Sequence, residues 1–424
     1  MFYIIENLDQ LQSLKNLKYK EAYIEVIPHS PILHPVESDL SLIYLRPLQS
    51  HKGYILSVDH SETLCLNSEY IGELIKQYDT LYVWGKKEFL HFYLHKNIID
   101  LSLLSPKYEV ETTFSHKVLE GRYKDFDKIN TIIPLVKHYE VCEKNYNNLK
   151  SYINEPTNKF YNNRVPLVFN SIERNGLRVD PLLFEDYFNK PNQNTVYTQY
   201  NYRTTTTRPS NRFGGINFAA LNKEDGCRKS IIPKNNKFIE LDISAYHPTL
   251  VSHLIDYQFN TSDIHQSFAE MYGVNYKKSK ELTFKQLYGG VFKQYQHLEF
   301  FQKTKAYVDN LWNLFQNQGF IECPISEYKF QQNKLEEMNP QKLFNYLLQA
   351  LETAQNVLIL WDIIGILRGG KTELVLYTYD SFLLDYNEED KNLLLQIQEV
   401  FKKYKLNIKE KQGINYHEMV PIKK

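Results

Sequence analysis

At 424 residues the chain is too long for one compact core and suits two or three domains. With 42% hydrophobic and 24% charged residues it reads as globular, and its 50 basic and 50 acidic side chains cancel. That balance excludes attraction to polyanions by net charge alone and leaves any nucleic-acid role to a local basic surface. Cys65, Cys142, Cys227 and Cys323 lie far apart and match neither a zinc pattern nor a disulfide framework, which fits a reducing compartment. The opening MFYIIENLDQLQ has no basic flank before a long apolar run, and no later stretch is expected to reach transmembrane length. A cytosolic protein without a membrane partner is therefore expected.

Between Glu21 and Cys65 the runs AYIEVI, LSLIYLRPL, GYILSV and TLCL, separated by Pro, Gly and Ser, predict a sheet of consecutive strands. YIGELIKQY, KKEFLHFYLHKN and INTIIPLVKHYEVCEKNYNNLKSYI carry apolar residues at helical spacing, so residues 1–154 read as an α/β domain separate from 155–424. The polar, turn-rich stretch from Asn192 to Gly215 predicts an extended surface segment. Regular structure then resumes. FIELDIS predicts a strand, HPTLVSHLI and IHQSFAEMYG predict helices, KKSKELTFKQLYGG a helix closed by glycine, and LFNYLLQALETAQNVLILWDIIGIL a long buried helix. ELVLYTYDSFLLDYN predicts a hairpin with Tyr379, Asp380 and Ser381 at its tip. An aspartate in so apolar a setting is costly unless paired, hydrogen-bonded or bound to metal.

Asp242 ends another apolar strand, and acids on two neighbouring strands are what two-metal phosphoryl transfer requires, with the ions ~3.5–4 Å apart. Either acid alone reads better as a strand-end cap or turn residue. Lys280, Phe284 and Tyr288 share one helix face, with Lys277 one turn earlier. Such a stripe offers a cation for triphosphate charge and rings to stack on a base, and Gly289 permits close backbone approach. An amphipathic helix with core aromatics and solvated lysines has the same pattern. Asn345, Gln349, Glu352 or Thr353, and Asn356 form a polar stripe on the long helix, satisfied either by minor-groove base edges or by neighbouring backbone.

Taken in order, these segments resemble the polymerase domain of the DNA polymerase I family, family A, over roughly residues 165–386. LDISAYHPTL is similar to the first motif, which implies a metal-binding Asp242 followed by Ser244. Asp263, Ile264 and His265 match a tripeptide of the fingers, which the resemblance puts at about residues 250–325. The second motif is matched by Lys280, Phe284, Tyr288 and Gly289, implying nucleotide-binding roles for them and, with Lys277, for His265. Tyr379, Asp380 and Ser381 stand where the family has His-Asp-Glu, keeping the second metal ligand and losing the acid beside it. TTRPSN is similar to Thr-Gly-Arg-Leu-Ser-Ser, which puts Arg208 at the primer terminus, with Asn217 and Arg228 fitting the downstream Asn and Arg. NYLLQ implies minor-groove roles for Asn345 and Gln349. His247 replaces the family's sugar-selecting glutamate and is expected to stack on Tyr288, while Tyr276 replaces an arginine, leaving Lys277 or Lys278 to substitute.

The resemblance implies an α/β N-terminal domain of RNase H-like fold and an α+β right-hand polymerase domain with palm, fingers and a reduced or absent thumb. VPLVFNSIERNGLRVD resembles the segment joining the two halves, so residues 1–154 occupy the place of a proofreading exonuclease. AYIEVI offers only Glu25 of the Asp-x-Glu expected there, and no aspartate stands four residues after Tyr146, which implies a catalytically empty nuclease fold. The implied function is template-directed transfer of dNTPs onto the 3′ end of primer-template DNA, with two Mg²⁺ ions, or Mn²⁺, as cofactors and without proofreading. Too little chain lies between Asp180 and Arg208 for a helical thumb, which implies weak hold on DNA and a processivity partner or replication subunit. An RNA-synthesising or primase-like relative and a non-catalytic DNA-binding accessory protein are the competing readings. A phage or mobile element is the host context the compact organisation implies by analogy.

Overall fold

The computed structural model describes residues 3–30, 32–104, 131–190 and 193–422. The chain divides into two compact units. The first holds residues 1–176 together with 196–200 and 211–220, and the second holds 177–195, 201–210 and 221–424.

In the first unit, β1 (Tyr3–Ile5), β2 (Glu21–Pro28), β3 (Leu40–Pro47), β4 (Tyr54–Ser57), β5 (Thr80–Val83) and β6 (Ile98–Asp100) form a mixed sheet in the order β1-β4-β3-β2-β5-β6. β2, β3 and β4 pair antiparallel in chain order, while β5 runs parallel to β2 and β6 parallel to β5. Alternation along β2 and β3 sends their side chains to opposite faces, and both faces are covered. Ile24, Ile43 and Leu45 pack against Leu11 and Leu14 of α1 (Leu8–Asn16) and Ile71, Leu74 and Ile75 of α2 (Ser68–Lys76). Tyr23, Ile27, Leu42 and Tyr44 pack on the other face against Leu135, Cys142 and Leu149 of α3 (Leu135–Leu149). α4 (Val165–Asn175) follows. The expected strand at TLCL is absent: Thr63 and Leu64 lie in an irregular connection leading to the Asn67 cap of α2. KKEFLHFYLHKN makes only one helical turn, Lys86–Phe89, whose start is capped by the buried Asp100 carboxylate accepting from the Gly85 and Lys86 N–H groups.

The stretch after Asn192 is not a simple surface segment. Val196, Thr198, Gln199, Tyr200, Tyr202 and Thr207 are buried, because its tyrosines and valine alternate with the polar residues that dominate its composition. Asn192 itself lies outside the described residues.

The second unit is built on a five-stranded sheet. β7 (Lys237–Ile243), β8 (Glu373–Thr378), β9 (Ser381–Tyr386), β10 (Ile408–Gly413) and β11 (Val420–Pro421) run in the order β8-β9-β7-β10-β11. Around it lie α5 (Pro181–Phe188), α6 (Tyr246–Leu254), α7 (Ile264–Tyr272), α8 (Tyr276–Gly289), α9 (Glu299–Gln318), α10 (Pro340–Leu367) and α11 (Lys391–Lys403). α10 is the hub and packs against α6, α8, α9 and α11. Its 28 residues are long and apolar enough to cross a membrane, contrary to the expectation that no stretch reaches that length. Two thirds of its apolar window is buried inside the protein, which is how the core helix of a globular unit meets the same criterion.

Candidate active site

The sheet register brings the two strand-borne aspartates together. β7 and β9 pair antiparallel with Asp242 opposite Ser381, and the Ile243 N–H donates to the Asp380 carbonyl at 2.8 Å. Asp380 and Tyr379 form the two-residue connection between β8 and β9, where Tyr379 has φ +61°. That left-handed geometry suits the strand twist of a tight hairpin and is unfavourable for a tyrosine. Two contacts hold it. Asn356 of α10 donates to the Tyr379 carbonyl at 2.7 Å, and the Arg208 guanidinium lies 3.7 Å from the centre of the Tyr379 ring. Asn356 also donates to the Tyr377 hydroxyl and accepts from that of Tyr246, so this member of the polar stripe is saturated by protein.

Burial raises the pKa of Asp242 above the ordinary aspartate value. Burial, then the negative charge of Asp242, raises that of Asp380 to about 6. Neither carboxylate makes an ion pair among the described residues. Two neighbouring acids, Asp242 half-buried and Asp380 reaching solvent, form an all-oxygen donor set suited to a hard divalent ion. The sequence reading missed Glu240. It lies two residues before Asp242 on the same face of β7, where its buried carboxylate accepts from Ser381 Oγ at 2.9 Å and Lys411 Nζ at 3.0 Å. The signal was present in FIELDIS as an acid at strand spacing from Asp242.

α8 presents the expected stripe. Phe284 is 45% exposed and stacks on Tyr288, with ring centres 6.0 Å apart and planes 9° from parallel. Lys280 lies over the Tyr276 ring, 4.7 Å from its centre. Lys277 is exposed in the first turn of α8, and Lys278 pairs with Glu281. A side chain at Gly289 would meet open space, and the positive φ falls instead on Gly290, at +96°. His265 is buried, and burial followed by the charge of Lys280 lowers its pKa to about 4, so its imidazole is neutral at pH 7.

His247 does not stack flat on Tyr288. The rings are tilted by 57°, and the Tyr288 hydroxyl is hydrogen-bonded to His247 Nδ1. The other ring nitrogen, Nε2, lies 3.2 Å from a carboxylate oxygen of the buried Glu352, and Arg208 Nε lies 3.1 Å from the same oxygen. The Arg208 contact is an ion pair without the alignment of a hydrogen bond. Glu352 thus links His247 to Arg208, a link that residue spacing could not reveal because the three residues come from three separate segments.

The remaining DNA-contact candidates are partly occupied. Gln349 accepts from the Thr206 hydroxyl at 2.9 Å, and the Asn345 amide donates to the Tyr288 carbonyl at 3.4 Å. Arg228 donates to the Leu221 carbonyl and lies 4.5 Å from the centre of the Tyr416 ring. Asn217 belongs to the first unit, paired across a short ladder with Arg212.

The first unit holds its own ionic cluster. Ligand atoms of His34, His91 and Glu173 lie within 4.8 Å of one another. The buried Lys87 ammonium donates to Glu173 at 2.7 Å, His91 Nε2 lies 2.9 Å from the same carboxylate, and the Tyr200 N–H donates to it. His34 uses Nδ1 for the Val36 N–H and Nε2 for the Thr198 carbonyl. An ammonium already fills the place of a cation in this cluster.

No protein-family model matches the sequence, and no curated protein matches it. Among solved structures the chain is similar to the POL domain of Pol1 from M. smegmatis in complex with DNA primer-template and dNTP, with a TM-score of 0.70 over 98% of this chain and 99% of that one. The two share 11% of their residues, so the likeness is one of fold: the chain is folded as a DNA polymerase domain.

Proposed function

We propose that the chain is a template-directed DNA polymerase similar to the DNA polymerase I family, transferring dNTPs onto a primer 3′ end. The observation that carries this reading is the convergence of Asp242 and Asp380 on adjacent strands, beside a helix that displays Lys280, Phe284 and Tyr288. The resemblance in sequence motifs and the likeness in fold support it independently.

Asp242 and Asp380 would hold the divalent ions, Mg²⁺ or Mn²⁺. When bound, these ions lower the barrier to attack of the primer 3′ hydroxyl on the α-phosphate and neutralise the departing pyrophosphate. Lys280 offsets triphosphate charge, and the exposed Phe284 face with Tyr288 receives the incoming base. His247, held by Tyr288 and Glu352, crowds the ribose 2′ position and favours deoxynucleotides. Arg208 orients the primer end.

The order of strands in the first unit, three antiparallel followed by two parallel on the other side of β2, supports an RNase H-like reading of that domain. Glu25 supports the absence of proofreading. It is enclosed by Tyr23, Cys142 and Asn145, all neutral donors, and burial raises its pKa to about 7. A two-metal nuclease needs ionised carboxylates open to the ions. Between Asp180 and Arg208 the only helix among the described residues is the eight-residue α5, which supports a reduced thumb and distributive synthesis unless a partner restores the grip.

Primer extension on a defined template with Mg²⁺ or Mn²⁺ tests the reading. Template-matched addition of dNTPs is expected, and its absence with both ions rejects it. Equal use of ribonucleotides would favour the RNA-synthesising alternative.

A further inference from the structure

We infer that Lys409, on β10, is a second triphosphate-binding cation that acts with Lys280. The inference rests on the polymerase reading and deepens it. Nothing in the motifs of α8 accounts for Lys409, which lies far along the chain in IKEKQG.

The placement follows from strand register. β7 and β10 pair antiparallel with Asp242 opposite Lys409 and Glu240 opposite Lys411. Residues paired this way project on the same face of a sheet. Lys409 therefore stands beside the metal-binding candidate, on the face that carries Asp242. The start of β10 is fixed against neighbouring segments: the Ser244 N–H donates to the Asn407 carbonyl, and the Asn407 amide donates to the Ser262 carbonyl. The second bond ties β10 to the turn that opens α7, where Asp263 and His265 lie.

The two lysines on this strand have different environments. Lys411 is neutralised by Glu240 at 3.0 Å. Lys409 is exposed and, among the described residues, makes no ion pair. Lys280 makes none either, although it is close enough to feel Lys409: after burial, the charge of Lys409 is the next cause lowering its pKa. Lys409 acts in the same direction on His265. Asp263 also faces this group, but its carboxylate accepts the N–H groups that open α7. Two ammonium groups are thus held within each other's field beside the aspartates: Lys409 opposes the charge on Lys280, while Asp263 and Asp242 favour it, and Lys409 in turn favours the ionised Asp242. A polyanion would relieve the repulsion between the two ammonium groups. A triphosphate whose α-phosphate lies at the aspartates would supply that charge along its length.

The test is binding of inorganic triphosphate to the intact chain, followed by calorimetry, alongside steady-state primer extension. Lys409→Ala should weaken triphosphate binding about tenfold and raise KM for dNTP with a smaller change in kcat, while Lys409→Arg should restore both. Lys403→Ala, which removes a distant lysine paired with Asp362, should match the wild type. Wild-type triphosphate binding by Lys409→Ala overturns the inference, and so does loss of binding only in Lys280→Ala. If the wild type extends primers but binds no triphosphate, this inference falls and the polymerase reading stands; if it does neither, both fall. Because Lys409 is exposed on a strand, its substitution should leave the thermal transition unchanged, which separates a binding defect from misfolding.

Discussion

Both units set an acid on an inner strand of their main sheet, Glu25 on β2 and Asp242 on β7, yet the two acids have opposite surroundings. Glu25 accepts from a hydroxyl, an amide and a thiol, which satisfy its oxygens. Asp242 faces a second carboxylate, Asp380, with which it makes a pair of like charges and no ion pair. The comparison shows that an acid at the right place in a strand is not yet a metal site. A metal site also needs a like-charged neighbour and unfilled coordination.

The largest expected effect comes from breaking the second arrangement. Asp242→Ala or Asp380→Ala should reduce primer extension by at least ~10³-fold while DNA binding measured by gel shift persists, since several kcal/mol of charge stabilisation is lost. Substantial extension by either variant would remove the distinction between the two acids. Glu25→Gln should leave extension unchanged. No metal-dependent trimming of a mismatched, labelled primer is expected from the wild type, and trimming lost in Glu25→Gln would make the first unit an active nuclease.

An effect of about ten- to a hundredfold is expected at the charged contacts around the pair. Lys280→Ala should slow incorporation by weakening the nucleotide, whereas Arg208→Ala should mainly harm use of the primer end, each by about 1.5–3 kcal/mol. Pre-steady-state nucleotide titration separates them, and identical saturation curves for both variants would mean that α8 has been misassigned.

The pH dependence of stability sharpens the comparison further. Asp380 and Glu25 both have folded pKa values above their ordinary ones, about 6 against 3.8 and about 7 against 4.5. The folded state therefore favours their protonated forms. Their contribution is full below the ordinary values and is lost as pH rises through the folded ones. Without divalent ions the chain should lose stability between about pH 4 and 7. Asp380→Asn should flatten the lower part of that fall, by little because its carboxylate reaches solvent and is screened, and Glu25→Gln should flatten the upper part by on the order of 1–3 kcal/mol. Adding Mg²⁺ at pH 8 should raise the melting temperature of the wild type and of Glu25→Gln, and not that of Asp380→Asn. An equal Mg²⁺ response in all three would show that ions bind elsewhere.

The smallest effects concern sugar choice. His247→Ala should raise ribonucleotide incorporation a few-fold, because the imidazole that crowds the 2′ position is gone. Glu352→Gln should do so less, since the imidazole remains but its contact with the carboxylate is lost. Ser381→Ala should change extension little. Competition between dNTP and rNTP on a single-nucleotide gap reads all three, and an unchanged ratio in His247→Ala would exclude the histidine from sugar selection.

Much of this was legible in the chain because it depends on local order. Strand β7, the hairpin carrying Asp380 and the face shared by Lys280, Phe284 and Tyr288 follow from alternation and helical spacing, which neighbouring residues set by themselves. The register of β7 against β9 and β10 is different in kind. It places Glu240 beside Ser381 and Lys409 opposite Asp242, and no spacing within one segment specifies which residue of a distant strand will lie across from it. Burial had the same standing. Composition marked the stretch from Asn192 to Gly215 as polar surface, while the packing of Val196, Tyr200 and Tyr202 put part of it inside. Glu352 was visible as one polar residue on a helix, but its meeting with His247 and Arg208 needed three segments to converge. What the sequence determined by itself was the inventory and local geometry of the reactive groups. The tertiary structure alone decided which acids are saturated and which remain open, because charge, desolvation and coordination depend on neighbours supplied by remote parts of the chain.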